Sequence, residues 1–276
     1  MKIAIAGLGL IGGSFALAIK SKTNHTVVAY DRDDATCRAA LDACAADEIE
    51  LAGFETADLI LIALYPRAAV EFLRENAPSF KRGAIVIDLC GVKRYVVDSA
   101  REVFAERDVT FIGGHPMAGR EVSGFSGATA TLFDGASMIL TPESDTPVAA
   151  LLLAEEFFLR LGFGRITRTD AATHDEMISF TSQLAHIVSS AYAQNPIASK
   201  FDGFSAGSFG DMTRVAKLNE EMWTELFLLN ADYLTEQISV ITGNLTELQR
   251  LIAAADADGL REMLRRGREM KEALGK

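Results

Sequence analysis

The glycines near the start of the chain are the first residues whose types and spacing could do chemistry. Residues 7–12 read GLGLIG, a GxGxxG pattern that follows a short apolar run at 2–6 and opens a predicted helix. In that setting Gly7 permits a tight turn, Gly9 lets a pyrophosphate approach the backbone, and Gly12 lets helix and strand pack closely. The N–H groups that open a helix also attract anions. The expected dinucleotide contacts are Gly7, Gly9, Leu10, Ile11, Gly12 and Ser14.

An acidic residue indicates which dinucleotide this turn would bind. Asp31 ends the second apolar run, 19 positions after Gly12. A carboxylate there can accept both ribose hydroxyls of NAD and would repel the additional phosphate of NADP. Arg32, the next residue, leaves some tolerance of NADP open. The pattern predicts NAD as the cofactor, and the competing interpretation is a glycine turn without a ligand.

His115 is informative because the chain contains only 4 histidines. It follows a predicted strand and the pair Gly113-Gly114, so we expect it at the carboxyl end of a sheet strand, where open α/β sheets bind ligands. A neutral imidazole there could accept a proton from a substrate hydroxyl as hydride leaves. From spacing alone, a histidine that stabilises a loop is an equally good interpretation.

Further polar residues lie in the C-terminal half of the chain. His186, Gln183 and neighbouring serines form a stripe at a spacing of three to four residues on a predicted helix, and His174 falls in the first turns of that helix. The stripe could be a solvated face, or it could face a cleft in which His186 contacts a polar ligand.

Arg214 follows a glycine-rich stretch at 203–210 and Asp211, which is predicted to cap a helix. A cation in a first helical turn opposes the helix dipole. The placement is easier to explain if Arg214 binds an anion, such as a substrate carboxylate held by two hydrogen bonds. The alternative is a surface ion pair between Asp211 and Arg214.

The apolar patterning indicates the elements that position these residues. Short apolar runs alternate with helical patterns as far as about residue 165, which is typical of βαβ units and a parallel sheet. Long helical patterns follow, the first capped by Asp170, with a break expected at Gly243. We therefore predict an α/β Rossmann-type parallel sheet domain at 1–165 and an all-helical domain at 166–276. The predicted strands are 2–6, 26–31, 58–64, 84–88, 109–112 and 136–140, and the predicted helices include 14–22, 34–46, 94–106, 147–161, 212–242, 245–255 and 259–274.

Composition narrows the class of protein. The 276 residues are 49% hydrophobic and 24% charged, which is ordinary for globular domains. A net charge of −11 argues against a broad nucleic-acid surface. Three cysteines without a CxxC pair suggest neither a disulfide framework nor zinc, and no metal is expected. Neither a membrane span nor a signal peptide is evident, so we expect a cytoplasmic protein that handles small molecules.

Together these residues resemble the prephenate/arogenate dehydrogenase family of tyrosine biosynthesis. GxGxxG is shared by many families, whereas GGHPMAG followed by a TRxA helix is much more specific. The resemblance implies a Rossmann domain followed by a helical dimerisation domain, and hence a homodimer. The matching segments are GLGLIGGS (7–14), DLCGVK (88–93), GGHPMAG (113–119), THDEM…SQLAH (173–186) and GSFGDMTRVA (207–216), with Trp223 after them.

The resemblance also implies a reaction. The family oxidises the ring C4 carbinol of a cyclohexadiene with NAD(P)⁺ and loses the ring carboxyl as CO₂. His115 matches the histidine that hydrogen-bonds the substrate 4-hydroxyl, and Lys93, the lysine of a DxxSVK-like turn, is the second catalytic candidate. Arg214 matches the arginine that holds a substrate carboxylate, and His174 and His186 match histidines that line or support the pocket. The expected activity is NAD-dependent conversion of prephenate to 4-hydroxyphenylpyruvate.

Two positions depart from the family's pattern. Where the family often has a serine that orients the catalytic histidine, this chain has Gly91, preceded by Cys90. A water or Cys90 would replace that hydroxyl, or catalysis is organised differently. Gln183, which we place among the substrate contacts, stands where the family often has histidine. The choice between prephenate and arogenate, which carries an added ammonium, therefore stays open.

Two other functions compete with this one. The 3-hydroxyacid dehydrogenases share the layout but usually place a catalytic lysine on the first interdomain helix, and residues 172–192 contain none. A nucleotide-sensing protein without the chemistry would be consistent with Gly91 and Gln183. Absorbance at 340 nm with NAD⁺ and prephenate distinguishes that protein from an enzyme.

Overall fold

The computed structural model describes residues 1–120 and 122–275. Within them, eight strands form one sheet in the order β3-β2-β1-β4-β5-β6-β7-β8. The last strand spans the predicted domain boundary near 165, and residue 276, the predicted end of the helical domain, lies outside the described residues. The strands are β1 Lys2–Ala6, β2 Thr26–Tyr30, β3 Glu48–Ile49, β4 Leu59–Ile62, β5 Ala84–Asp88, β6 Val109–Met117, β7 Ser137–Thr141 and β8 Arg165–Arg168.

Neighbouring strands are parallel along the part of the sheet in the order β3-β2-β1-β4-β5-β6, as the patterning predicts. The next pair, β6 and β7, is antiparallel. This pairing corrects the prediction that His115 follows its strand. β6 continues to Met117 because β7 supplies backbone partners there, with His115 opposite Ile139. His115 still lies beyond the end of β5, since the last residue of β5, Asp88, pairs with Gly113.

The sheet is buried on both faces, which explains why its strands are almost continuously apolar. On one face Phe15 stacks on Phe133 with ring centroids 4.1 Å apart, and on the other Phe54 packs against Phe72 at 5.5 Å. The first helix begins four residues earlier than predicted, directly after the glycine turn. The helices of this part are α1 Leu10–Lys22, α2 Asp34–Asp42, α3 Pro66–Asn76, α4 Arg94–Phe104 and α5 Val148–Arg160.

The helical part begins at Asp170, whose carboxylate accepts the N–H of Thr173 at 2.8 Å and so confirms the predicted cap. A π-helical turn at Ser179–Gln183 joins its first two helices, and such turns are frequent at functional sites. No helix within the described ranges has both the length and the apolar character needed to cross a bilayer. The helices are α6 Ala171–Ile178, α7 Leu184–Ala193, α8 Ser208–Thr213, α9 Glu220–Leu229, α10 Ala231–Ala253 and α11 Ala257–Ala273.

Two expectations about these helices are wrong. Gly243 lies inside α10, because one glycine costs a helix only about 1 kcal/mol relative to alanine and does not force a break. Arg214 ends α8 rather than beginning a helix, since the N-cap is Gly207 and Asp211 lies within α8. A cation at a helix C-terminus is favoured by the dipole, so the dipole supplies no reason for Arg214 to bind an anion.

Candidate active site

A cavity of about 710 Å³ opens at the carboxyl ends of β1, β4 and β5. The strand order reverses between β1 and β4, and open parallel sheets bind ligands at such a point. Residues 9–11, 63–66 and 89–91, which follow these three strands, form one wall. The helical part supplies the opposite wall with Ile178, Ser182, Gln183, His186, Trp223 and Leu226.

The glycine turn forms the end of the cavity wall beside β1. Gly7 has a φ of +89°, and a β-carbon on Gly12 would lie 1.8 Å from the Gly7 carbonyl oxygen, so close packing requires glycine at position 12. A β-carbon on Gly9, in contrast, would meet nothing within 4 Å. α1 starts at Leu10 without a side-chain cap or an acidic residue in its first turn. Its first N–H groups are therefore suited to an anion, as the diphosphate of a dinucleotide requires.

Two of the predicted cofactor contacts have protein partners. The Asp31 carboxylate accepts the N–H of Leu8 at 2.7 Å, so it braces the glycine turn from the end of β2. Ser14 is buried, and its hydroxyl accepts the N–H of Thr129 at 3.0 Å. Arg32 is exposed beside Asp31. The structure thus brings residues 9–11 to the cavity, while Ser14 packs inside the domain.

His115 lines the cavity from β6, and its two ring nitrogens have different surroundings. Nε2 faces Gly91, where a β-carbon would lie 4.0 Å away. Nδ1 lies 2.9 Å from Nε2 of His174. Burial holds the pKa of His115 well below its ordinary value of 6.5, and the neighbouring His174 and Lys93 act in the same direction. His115 is therefore neutral at pH 7 and can accept a proton.

Two other predicted residues lie behind this ring. His174 is buried, and its Nδ1 lies 2.8 Å from Oδ1 of Asp175. Burial lowers the pKa of His174, although the hydrogen bond to Asp175 opposes that shift. Lys93 is fully buried, and its ammonium donates to the Asp88 carboxylate and to the Gly114 carbonyl oxygen at 2.6 Å. Lys93 therefore ties β5 to β6, and it is not among the described residues of the cavity wall.

Asp175 connects the sheet to the helical part. Its carboxylate accepts the N–H groups of Lys93 at 2.7 Å and Arg94 at 2.9 Å, and the Arg94 Nε–H at 3.2 Å. The Arg94 guanidinium also donates to Asn230 at 2.9 Å and to both carboxylate oxygens of Asp232 at 2.6 and 2.7 Å. The hydrogen bond from Arg94 lowers the pKa of Asp232 to about 2. α4 is thereby tied to α6 and α10.

The helical wall presents polar and aromatic groups to the cavity. His186 stacks on Trp223 with ring centroids 3.8 Å apart, and its Nδ1 lies 2.9 Å from the Ser182 carbonyl oxygen. The Gln183 side chain lies at the cavity edge, buried, with its Oε1 accepting from the Asn230 amide at 2.8 Å. Ser182, Gln183 and His186 of the polar stripe predicted on this helix therefore line a cleft.

Charged side chains line the same cavity. Arg120, Lys217 and Glu220 belong to its wall. Arg214 is exposed and, among the described residues, is not part of that wall, although Val215 and Lys217 beside it are. The 3₁₀ turn Arg214–Ala216 follows α8, and Lys217, the residue after this turn, lies in the cavity wall.

Sequence reasoning missed Asp175, Arg94 and Lys217. Asp175 was visible as the neighbour of His174, but nothing in the pattern indicated that its carboxylate faces residues 82 positions earlier in the chain. Arg94 and Asn230 are 136 positions apart, and no local spacing relates them. Lys217 lies three residues after Arg214, so the TRxA motif had indicated the correct segment.

Comparisons with known proteins agree with this geometry. Residues 15–167 match the nucleotide-binding domain of prephenate dehydrogenase, and residues 170–266 match its dimerization domain. The chain is 31% identical to a prephenate dehydrogenase of Lactococcus lactis, over 99% of this chain and 77% of that protein. It is 32% identical to a cyclohexadienyl dehydrogenase of Zymomonas mobilis, over 99% and 95% of the two chains.

A solved structure supports the same assignment. The prephenate dehydrogenase from A. aeolicus, in complex with hydroxyphenyl propionate and NAD⁺, matches with a TM-score of 0.86 and 26% identity over 99% of this chain and 98% of that chain. The predicted architecture, a Rossmann-type sheet followed by helices, is confirmed, and so is the resemblance on which it depended. The chain belongs to the prephenate dehydrogenase family.

Proposed function

We propose that this enzyme catalyses the NAD-dependent oxidative decarboxylation of prephenate to 4-hydroxyphenylpyruvate. The observation that carries the proposal is that His115 and the glycine turn at residues 9–11 line one cavity. Oxidation of a carbinol needs a base for the hydroxyl proton next to a binding site for the hydride acceptor. The match to the prephenate dehydrogenase family supports the choice of reaction.

NAD is the proposed cofactor. The N–H groups of residues 9–11 would hold its diphosphate, and Asp31 would accept hydrogen bonds from the adenosine ribose while repelling a 2′-phosphate. When bound, NAD⁺ supplies the hydride acceptor. The open space around Gly9, where a β-carbon would meet nothing within 4 Å, supports a diphosphate at that position.

His115 has the proposed role of the base. Its Nε2 accepts the proton of the substrate 4-hydroxyl as the C4–H bond breaks with departure of hydride, which leaves a carbonyl at C4. Loss of the C1 carboxylate as CO₂ sends that electron pair through the ring to the C4 oxygen. The oxygen then recovers the proton from His115, and the ring is aromatic. General base catalysis of this kind contributes about 10²–10⁴-fold.

Substrate recognition is assigned to the charged and aromatic groups of the wall. Lys217 and Arg120 would bind the carboxylates of prephenate, because charge-assisted hydrogen bonds are the strong ones in such a cavity. His186, stacked on Trp223, and Gln183 would contact the ring and side chain of the substrate. A role for Arg214 on a carboxylate stays a prediction.

A second substrate, arogenate, is favoured by one observation. Glu220 lies in the same wall as Lys217, and its carboxylate could pair with the ammonium that arogenate carries in place of the keto group. The relative from Zymomonas mobilis is named a cyclohexadienyl dehydrogenase, which fits a wall that carries both signs of charge.

We also propose a homodimer formed through the helical part. This part matches the family's dimerization domain and exposes large apolar side chains, including Phe180, Phe204 and Leu228. Burial of such side chains is the expected driving force for association. Size-exclusion chromatography with light scattering tests the proposal, and a monomer at micromolar concentration would contradict it.

Initial rates measured by absorbance at 340 nm test the activity. Prephenate and arogenate are each combined with NAD⁺ and with NADP⁺, and the largest kcat/KM is expected for prephenate with NAD⁺. Faster turnover of arogenate would assign the second substrate. Tight NAD⁺ binding without NADH from either substrate would refute the enzymatic proposal and favour a nucleotide sensor.

A further inference from the structure

Three side chains form a hydrogen-bonded line from the domain contact to the cavity. Asp175 lies at the buried end, His174 is in the middle, and His115 reaches the cavity wall. Among the residues that the structure describes, the Asp175 carboxylate faces only donors: the His174 imidazole, the backbone N–H groups of Lys93 and Arg94, and the Arg94 Nε–H. An ionised carboxylate accepts hydrogen bonds and donates none.

The pKa of Asp175 supports the ionised form. Burial by itself raises this pKa, but hydrogen bonds from His174 and from the Arg94 backbone outweigh it, so the pKa lies below its ordinary value. Because Asp175 is an acceptor, Nδ1 of His174 must carry the proton in the 2.8 Å contact between them. A neutral imidazole carries one proton, so Nε2 of His174 is a bare acceptor.

The same reasoning extends one ring further. Nε2 of His174 lies 2.9 Å from Nδ1 of His115, and an acceptor at that distance requires a donor. Nδ1 of His115 therefore carries the proton, and Nε2, the nitrogen that faces Gly91, keeps its lone pair. In the opposite tautomer, the lone pair of His115 Nδ1 would face the lone pair of His174 Nε2, and the two would repel each other.

We propose that Asp175 and His174 are positioning residues that hold His115 in its Nδ1–H tautomer, with the Nε2 lone pair directed to the cavity. The inference rests on the proposed function for its catalytic meaning, since only a base needs that lone pair. An imidazole held in the wrong tautomer cannot accept the substrate proton, however well placed the ring is.

The position of Asp175 adds a consequence for the two parts of the chain. Its partners Lys93 and Arg94 belong to the sheet part, whereas Asp175 and His174 belong to α6. The tautomer of His115 is therefore fixed only while α6 is packed against the start of α4. A competent base thus requires the docked arrangement of sheet and helices.

Long-range ¹H–¹⁵N NMR correlations on histidine-labelled protein test the proposal, because they distinguish protonated from bare ring nitrogens. In the unliganded wild-type protein near pH 7.5 we expect protonated Nδ1 and bare Nε2 at His115. In His174→Phe, which keeps a ring but removes the acceptor, we expect the proton on Nε2 in a substantial fraction of molecules. His25→Gln, a change in a turn outside the cavity wall, removes only the resonances of His25 and serves as the control.

Kinetics supply the second measurement. His174→Phe should lower kcat about 10-fold or more while KM for NAD⁺ stays within about twofold, because the substitution affects the base and not the glycine turn that binds the dinucleotide. His174→Gln, whose amide oxygen can accept from His115, should restore Nδ1–H and part of kcat. If His174→Phe does not fold, Asp175→Asn replaces it as the variant expected to lose the tautomer, and His174→Gln remains the variant expected to keep it.

The outcomes separate this inference from the proposed function. Protonated Nε2 at His115 in the wild-type protein would overturn the proposal that His174 and Asp175 hold the tautomer of His115. An unchanged tautomer in His174→Phe would overturn it as well, even if the enzyme forms NADH from prephenate. The expected tautomers without turnover of either substrate would support the positioning role of His174 and Asp175 and refute the proposed dehydrogenase activity.

Discussion

His115→Asn is the substitution that tests the catalytic proposal most directly. Asparagine keeps a polar side chain on β6 but offers no ring nitrogen as a base. Loss of general base catalysis predicts a fall in kcat of at least about 10²-fold, which corresponds to about 2.7 kcal/mol of transition-state stabilisation at 1.36 kcal/mol for each factor of ten. KM for NAD⁺ should change little, because the glycine turn lies on another strand.

The cost to folding should be small by comparison. His115 contributes one hydrogen bond to His174, worth about 1 kcal/mol, and asparagine can still donate to the same nitrogen. A chain of this size should lose about 2–4 °C in Tm for each such kcal/mol. His25→Asn is the matched control, since it makes the same chemical change in a turn outside the cavity wall.

The pH profile gives an independent test of the same residue. Burial lowers the pKa of His115 well below 6.5, so the ring stays neutral, and able to act as a base, as the pH falls through 6.5. We expect kcat/KM of the wild-type enzyme to stay level from pH 8 to pH 6.5 and to fall only at lower pH. Near-normal turnover of His115→Asn, or loss of wild-type activity already near pH 7, would refute the reasoning.

Four further substitutions test the cofactor and substrate contacts and the packing of the glycine turn. Asp31→Ser should raise kcat/KM for NADP⁺ relative to NAD⁺ by about 10-fold or more, and an unchanged ratio would refute Asp31 as the discriminator. Lys217→Met should raise KM for prephenate about 10-fold or more without changing KM for NAD⁺, because a charge-assisted hydrogen bond contributes about 1.5–3 kcal/mol; an unaltered KM would exclude the contact. Gly12→Ala should lower the Tm of the unliganded protein by several degrees, since its β-carbon would lie 1.8 Å from a carbonyl oxygen. Gly9→Ala, where the β-carbon meets nothing, should keep the Tm and weaken NAD⁺ binding; equal Tm values for the two variants would contradict the packing argument.

Local patterning predicted the parts of this protein that depend on local physics. The apolar runs at β1, β4 and β5 must be buried, and their alternation with helices requires a parallel sheet. The GxGxxG turn depends on glycines within six residues of one another, so its form follows from the chain itself. The Asp170 cap is equally local, because its acceptor and donor are three residues apart.

The clearest error occurred where the outcome depends on a distant partner. The strand β6 is longer than predicted because β7 pairs with it in the antiparallel direction. α10 continues through Gly243, since a weak helix former does not end a helix by itself. Arg214 follows the end of α8 instead of beginning a helix, because α8 starts at Ser208, and the motif did not specify that start.

The sequence by itself determined the fold class, the nucleotide turn and the identity of His115 as a candidate base. Only the tertiary structure decided that His115 has a bare nitrogen at the cavity, because its tautomer depends on His174 and Asp175, and Asp175 is held by donors 81 and 82 positions away. Proton positions in a buried chain of hydrogen bonds depend on every donor and acceptor in it. Such a chain exists only after the sheet and the helices have packed together.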